Sequence, residues 1–329
     1  MKILLLYKGY PRISQSYQID ESQELNKEHE LMIISFDWEV FESSFVSLPY
    51  LKKNPLESFN EINSFKPDFI HSHYLDSIEI CDTISRKINK KYSIRTHSFD
   101  ILTSDSKLIS YKKYVNSENC NGIIVFPEFK SRLISLGYNE NKIIQSYPSI
   151  YIHRFLEINT NGEHIMSGGA MLPKKNIENF IQLASKIKNK YPLKQINYYC
   201  MIESYYYYND ITKINNKYGN PVNFVTKQII DMPSEYKKHQ WLIYTACPKL
   251  RTVGLPIMVA EAQASGVGVI LYKLRDTMID YVTENGYLYE KHDDVLEIIS
   301  KNFDETKKQN AKEISLRYDI RNNIKQLKF

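Results

Sequence analysis

With 329 residues, 43% of them hydrophobic and only 11 glycines, the chain can build sizeable cores in two ordinary domains, which argues against disorder. A formal net charge of +5 suits an anionic substrate or an anionic membrane surface, and it is too weak to argue for nucleic acid. Cys81, Cys120, Cys200 and Cys247 lie far apart without CxxC spacing. That pattern argues against a zinc site or a disulfide framework and fits reduced thiols in a cytosolic protein. The apolar start Ile3–Tyr7 is too short for a signal peptide, and no run approaches a membrane span.

Taken in order, Lys2–Tyr7 reads as a strand buried on both faces of a parallel sheet. The turn KGYPRISQS follows, then a predicted helix over about 18–27 and a strand over Glu30–Phe36. Phe69–His71 is a short strand ending in His71-Ser72-His73. A helix over Leu75–Ile88, a strand over Tyr92–Thr96 ending in His97-Ser98-Phe99-Asp100, a strand over Gly122–Phe126 and a helix over Glu128–Leu136 complete this half. Strands alternating with helices predict a doubly wound parallel sheet that binds ligands at its C-terminal strand ends, where KGYPRISQS, HSH and HSFD all fall. Tyr147–Asn161 reads as a crossing between domains. A second series begins with a strand over Ile165–Gly168, a loop over Gly169–Asn176 and an amphipathic helix over Asn176–Lys190. Further strands are predicted over Gln195–Met201, Val222–Val225, Trp241–Thr245 and Gly268–Tyr272. Ala311–Phe329 reads as a polar helix able to pack back on the first domain.

The stretch CPKLRTVGLPIMVAEAQASGVGVI, Cys247–Ile270, holds a turn with Gly254, then Pro256 at a first helical position, and a compact apolar helix. The free N–H groups of such a helix start make an anion site. Glu261 is the lone acid on that helix and needs a partner, either a neighbouring lysine or a ligand. In Gly168–Asn176, two adjacent glycines allow close backbone approach, and Lys174 and Lys175 precede a helix start. The helix dipole disfavours lysine there unless an anion such as a diphosphate lies between, or unless the pair is simply solvated. The aromatics Phe36–Trp38 and Tyr198–Tyr208, with Lys52-Lys53, are open to two readings. They are ordinary surface residues, or they line an acceptor groove or touch a membrane. No G-x-G-x-x-G follows the first strand, which argues against a dinucleotide oxidoreductase.

PKKNIENFIQLASKIKNKYP, MPSEYKKHQWLIYTACP, GLPIMVAEAQASGVGVI and VTENGYLYE together resemble the C-terminal domain of the retaining GT-B glycosyltransferases. This is the large group that builds bacterial surface polysaccharides. The N-terminal segments PRISQSYQIDESQELNKEHELMIISF, FIHSHYLDSIEI, IRTHSFDIL and GIIVFPEFKSRLISLGYNENKIIQSYPSIYIHRF resemble the matching half, so the resemblance spans the chain in order. It implies an α/β fold of two doubly wound Rossmann-like domains facing each other across a cleft. Residues 1–155 would form an acceptor-side domain and 156–305 a nucleotide-sugar domain. Residues 306–329 would be a helix packing back on the first. By the same resemblance Glu261 grips the donor ribose, Lys175 neutralises the donor phosphates and His97 lies near the donor sugar.

Two positions depart from the family pattern. Val253 stands where a glutamate is usual, and Ala170 where an arginine usually accompanies Lys175. Three explanations are open: a donor lacking one hydroxyl, a phosphate contact from Arg251 or Lys249 instead, or lost catalysis. The resulting expectation is a nucleotide-sugar-dependent glycosyltransferase acting with retention on a growing bacterial surface glycan such as capsule or lipopolysaccharide. His97 and Asp100 are the expected catalytic residues. Gly169, Lys174, Lys175, Arg251, Val253, Gly254, Leu255 and Glu261 are expected on the donor, and Ser14, Gln15, Ser16 and His73 on the acceptor side. Expected partners are the nucleotide sugar and a glycan or lipid-linked glycan acceptor, with no nucleic acid, no cofactor and no metal. The expected location is cytoplasmic, with peripheral contact at the inner membrane open. The alternative from another class is a catalytically silent GT-B subunit that supports a partner transferase.

Overall fold

The structure, a computed structural model, describes residues 1–38, 48–156, 162–227, 231–282, 286–301 and 303–327. The chain divides into two compact units, Met1–Ile150 with Tyr318–Phe329, and Tyr151–Arg317. Residues 157–161 of the predicted crossing and the last two residues of the predicted terminal helix lie outside the described residues.

The first unit is built on strands β1 Lys2–Tyr7, β2 Glu30–Ser35, β3 Leu51–Lys52, β4 Phe69–His73, β5 Lys91–Arg95, β6 Cys120–Val125 and β7 Ile143–Gln145. They form a seven-stranded parallel sheet in the order β3-β2-β1-β4-β5-β6-β7. β1 is central, and its apolar run is covered on both faces. Leu4 and Leu6 pack in one cluster with Ile70 and Ile94, while Ile3, Leu5 and Tyr7 pack in another with Leu25, Ile33 and Leu327. Leu327 explains why the C-terminus belongs to this unit. Ile150 and Ile320 each donate a backbone N–H, to Tyr318 and Ile150 respectively, and so fasten the returning chain.

The second unit carries β8 His164–Ala170, β9 Ile196–Met201, β10 Asn223–Val225, β11 His239–Tyr244, β12 Gly268–Tyr272 and β13 Gly286–Tyr289. These make a six-stranded parallel sheet in the order β10-β9-β8-β11-β12-β13. The helix Ile177–Lys190 buries Ile177, Phe180, Ile181, Ala184 and Ile187 on its inner face. That stripe is the reason the segment folds as a helix beside the sheet. Tyr198 and Tyr199 are core residues of β9, whereas Tyr205 and Tyr206 stand exposed at the start of a helix, Tyr205–Lys217. Among the described residues, no helix is long and apolar enough to cross a membrane.

Three local differences from the sequence expectation have physical causes. Gly169 and Ala170 continue β8 where a loop was expected, because Met171 N–H still bonds to Met201 and the ladder to β9 runs on to Ala170. Pro256 is the N-cap, with ψ 157, so the helix proper is Ile257–Ala264 and starts one residue later. The terminal segment is several short pieces in place of one helix: Glu305–Ser315, a tight turn at Leu316–Tyr318, and Ile320–Asn323. Glu305–Ser315 packs on the helix Ile257–Ala264 of the second unit, so the chain rejoins the first unit at Tyr318 and not at residue 306.

Gly268 starts β12 directly against the Trp241 ring, and a Cβ there would run into that ring and approach Phe303. Gly268→Ala should therefore overpack the second core and lower its unfolding free energy by about 1–3 kcal/mol, measured by urea denaturation.

Candidate functional site

In an open parallel sheet, ligands are bound beyond the carboxyl ends of the strands where the strand order reverses, because the loops there part in opposite directions. The second unit reverses between β8 and β11, and the loops leaving these strands are bonded together. Cys247 N–H donates to the Lys174 carbonyl at 2.9 Å. Thr245 Oγ1 donates to the Lys175 carbonyl at 2.8 Å, and Thr252 Oγ1 to that of Lys174 at 3.3 Å.

This stitching seats Lys175 in the protein, 8% exposed. Its ammonium donates to the Tyr244 hydroxyl at 3.3 Å and lies 4.8 Å from the centre of that ring. The Tyr244 hydroxyl in turn donates to the Val253 carbonyl at 2.9 Å. Among the described residues no carboxylate pairs with Lys175. Burial lowers its pKa to about 7, and the neighbouring Lys174 adds repulsion. Lys174 is lowered as well, again chiefly by burial. Gly169, at φ +121°, leaves room for this arrangement, since a Cβ would touch Lys175 Cε at 3.4 Å.

Glu261 lies one turn into the helix Ile257–Ala264 and is half-buried. The Tyr236 hydroxyl, buried in the core, donates to its Oε2 at 2.7 Å, so a tyrosine supplies the partner that a lone carboxylate on an apolar helix requires. Gly254 is buried against Arg275, whose Nη1 donates to the Thr252 carbonyl at 3.3 Å. Leu255 is a core residue. Arg251 and Lys249 are exposed on the preceding turn, Val253 is half-buried and Ala170 closes β8.

The first unit reverses between β1 and β4, and the ends of these strands and of β5 surround a buried polar cluster. The helix Ser16–Leu25 turns Gln18, Glu21, Ser22 and Leu25 inward. Glu21, 1% exposed, accepts from Arg95 Nε at 2.8 Å on one oxygen. On the other it meets His73 Nε2 at 2.8 Å and His71 Nε2 at 3.1 Å. Burial alone would raise the Glu21 pKa, but Arg95, His73 and His71 together hold it well below the ordinary carboxylate range. His73 Nδ1 lies 3.2 Å from His97 Nε2, and the His97 ring packs among Tyr17, Tyr74 and His73. Burial lowers His73 to about 4 and His97 well below the ordinary histidine value.

Asp100 accepts the Leu75 N–H at 2.6 Å and the His97 N–H at 2.7 Å, which latches the loops after β4 and β5. Burial pushes its pKa up to about 7 against the pull of those two N–H groups. Gln15 is buried and donates from Nε2 to the Tyr74 hydroxyl at 3.0 Å; Tyr74 also bonds Tyr17 at 2.6 Å. Ser14 and Ser16 sit half-buried where the helix begins. Glu21, His71 and His73 are the one set among the described residues with three ligand atoms within 4.8 Å of one another. Arg95 already balances the Glu21 charge, so a divalent ion would add two unbalanced charges to a fully buried cluster, which is costly.

Known structures superpose on this chain over nearly their whole length. The fold is GT-B. The Anabaena HepE protein in complex with UDP-glucose superposes with a TM-score of 0.77 at 16% identity, covering 99% of this chain and 98% of that one. Sucrose-phosphate synthase from Thermosynechococcus elongatus gives 0.71 at 14%, with 99% and 98% covered. The lipopolysaccharide outer core galactosyltransferase WaaB gives 0.69 at 12%, again with 99% and 98% covered. No family model matches the sequence, and no curated protein matches it at a significant level.

Within the second unit the structure brings Gly169, Lys174, Lys175 and Val253 together. Within the first it joins His73, His97, Asp100 and Gln15. It keeps Arg251 on the surface and brings the Arg275 guanidinium against the turn. Sequence reasoning missed Glu21, Arg95, Tyr17, Tyr236 and Arg275. A signal for Glu21 existed in SYQIDESQEL, where the residues at three- and four-residue spacing are Gln18, Glu21 and Ser22 in place of an apolar stripe.

Arg95→Met would leave Glu21 buried without its countercharge. It should cost about 3–5 kcal/mol of stability in urea denaturation at neutral pH. The wild-type contribution of Glu21 is present above the ordinary carboxylate pKa and lost as pH falls through its lower folded value. The stability of Arg95→Met should therefore depend less on pH between about 5 and 2 than that of the wild type.

Proposed function

We propose that the chain is a retaining glycosyltransferase that moves a sugar from a nucleoside-diphosphate sugar to a growing bacterial surface glycan. The second unit takes the donor, and the first serves the acceptor and the transferred sugar. The observation that carries this reading is the buried Lys175 at the β8/β11 reversal, held by hydroxyl and backbone groups with no carboxylate among the described residues. Its amine, kept partly neutral by burial, is poised to take up a proton when an anion arrives. A diphosphate meets this requirement, and stabilising the charge that develops on the leaving nucleoside diphosphate is where such a group lowers a barrier. Lys174 and the N–H groups at the start of the helix Ile257–Ala264 add to that field. The UDP-glucose bound to HepE, the galactosyl transfer named for WaaB and its lipopolysaccharide substrate support the same class of chemistry.

Glu261, held in place by the Tyr236 hydroxyl, is the carboxylate that accepts from the ribose diol. His97 faces the sugar, and Asp100 acts by holding the His97 and Leu75 backbone in place. Leaving phosphate can itself assist the incoming hydroxyl in retaining transfer, so the chemistry asks for little acid–base machinery from the protein. The place is the cytoplasm, where nucleotide sugar is the donor and a glycan or lipid-linked glycan is the acceptor. No metal or cofactor is required by these residues.

A second reading is a silent subunit that supports a partner transferase. Val253 and Ala170 favour it, because neither side chain can bond a sugar hydroxyl or a phosphate, and the Val253 carbonyl is engaged by Tyr244. Product release separates the two readings. The enzyme should liberate nucleoside diphosphate from at least one of the UDP-, GDP-, ADP- and dTDP-sugars in the presence of acceptor extract. No release from any of them would leave the silent subunit.

Nucleotide binding has its own checks. At 100 times its dissociation constant, the nucleoside diphosphate should stabilise the protein by about 2.7 kcal/mol in thermal melts. Glu261→Ala should weaken that binding by about 1.5–3 kcal/mol in calorimetry, the worth of hydrogen bonds to a charged group. Because the Lys175 pKa is lowered to about 7, the free protein holds this amine largely neutral at pH 8.5, and a bound diphosphate restores its proton. Calorimetry at pH 8.5 in buffers of different ionisation enthalpy should then show proton uptake on binding that Lys175→Met abolishes. The unliganded protein should also gain stability as pH rises from about 7 toward the ordinary lysine value, because over that window the unfolded chain binds the extra proton.

A further inference from the structure

The buried cluster of the first unit has an order that its hydrogen bonds dictate. Glu21 receives Arg95 on one oxygen, at 2.8 Å, and an ionised carboxylate can only accept. The proton in its 2.8 Å contact with His73 therefore sits on His73 Nε2. Arg95 already balances the Glu21 charge, and His73 is 0% exposed, so a second buried cation has no counterion and His73 is neutral. Its Nδ1 then carries a bare lone pair. The nitrogen facing it at 3.2 Å is His97 Nε2, which must supply the hydrogen, since two lone pairs would repel at that distance. His97 is thus protonated on Nε2, and a neutral imidazole protonated there has its lone pair on Nδ1. His71 Nε2 lies 3.1 Å from the same carboxylate oxygen, and its Nδ1 bonds to the Ser93 hydroxyl at 2.8 Å.

We infer that Glu21 is a positioning residue that acts through His73 to hold His97 as the neutral Nε2–H tautomer, so that the first unit offers a hydrogen-bond acceptor at its strand ends. The consequence concerns the ligand. An Nδ1 lone pair takes a hydrogen from an O–H or N–H donor and repels the oxygens of a carboxylate or phosphate, so a ligand group that meets this nitrogen is a donor such as a hydroxyl and not the anionic part of the nucleotide sugar. The half-buried ring is kept from turning by Tyr17 at 4.6 Å and Tyr74 at 4.5 Å between centroids, and these pack His97 without competing for its nitrogens. This inference rests on the reading of His97 as the residue that faces the sugar. The tautomer itself does not, and can be measured without any substrate.

The test is imidazole nitrogen NMR on protein labelled with 15N-histidine, with His97→Asn and His73→Asn used to assign the signals. In the wild type from pH 6 to 8, His97 and His73 should each show a protonated Nε2 and a bare Nδ1. A protonated Nδ1 on His97, or an imidazolium at either residue, would overturn the inference. In Glu21→Gln the amide can accept or donate, so His97 should become a mixture of tautomers with averaged shifts. A folded Glu21→Gln that keeps the wild-type pattern would remove Glu21 from the role. If this variant does not fold, His73→Asn puts the same question to the next link, and the His97 signals should again average. In a transfer assay Glu21→Gln should lower kcat by about tenfold, the weight of one hydrogen bond to a charged group, with the donor KM unchanged. Absence of any transfer by the wild type would refute the glycosyltransferase reading and leave the NMR result standing.

Discussion

A strand buried on both faces of a parallel sheet can carry polar chemistry only at its end, and this constraint shapes both units. In β1 the side chains Ile3, Leu4, Leu5, Leu6 and Tyr7 are all fully buried, and in β11 Trp241–Tyr244 are buried likewise. Charge is held at the last ladder positions, as at Arg95 of β5, or in the segments beyond them, as at Lys175 past β8. The reversal of strand order then decides which two loops part, leaving Lys174 and Lys175 beside Thr252 and Val253 in one unit. In the other it gathers the ends of β1, β4 and β5 around Glu21.

The two strand-end sites solve the burial of charge in opposite ways. In the first unit every charge has a partner inside the protein. Glu21 is paired with Arg95, burial keeps His73 and His97 neutral, and Asp100 is met by backbone N–H groups. Such a cluster is rigid, because moving any member strands another. In the second unit Lys175 is buried with a hydroxyl and an aromatic face but no carboxylate among the described residues. A site of this kind is unsatisfied until an anion arrives. The contrast is what the proposed division of labour rests on, with hydroxyl groups oriented by one unit and a phosphate received by the other.

Much of the architecture was legible along the chain, because a strand covered on both faces needs a near-continuous apolar run and a helix lying on a sheet needs a stripe. KILLLY and the Ile177–Ile187 stripe each announce their element in this way. The edges of elements were less legible. The ladder to β9 carries β8 through Gly169 and Ala170, although Gly169–Asn176 read as loop, and a bonding partner distant in sequence decided this. The terminal segment looked like one helix because its polar composition permits one. Its breaks follow from Glu305–Ser315 being held on the second unit while Leu327 is buried beneath β1 in the first.

By itself the sequence determined the alternation of strands and helices, the placement of HSH, HSFD and the Gly-Gly…Lys-Lys segment at strand ends, and the suspicion that Glu261 needs a partner. Each of these depends on the local spacing of residue types. Only the tertiary structure decided that the partner is Tyr236, that Arg275 reaches the Gly254 turn, and that Glu21 and Arg95 stand behind His73 and His97. These pairs join residues separated by 25, 52 and 74 positions in the chain. Whether a buried charge is matched depends on what the fold places within about 3 Å of it, and residue spacing along a chain carries no such information.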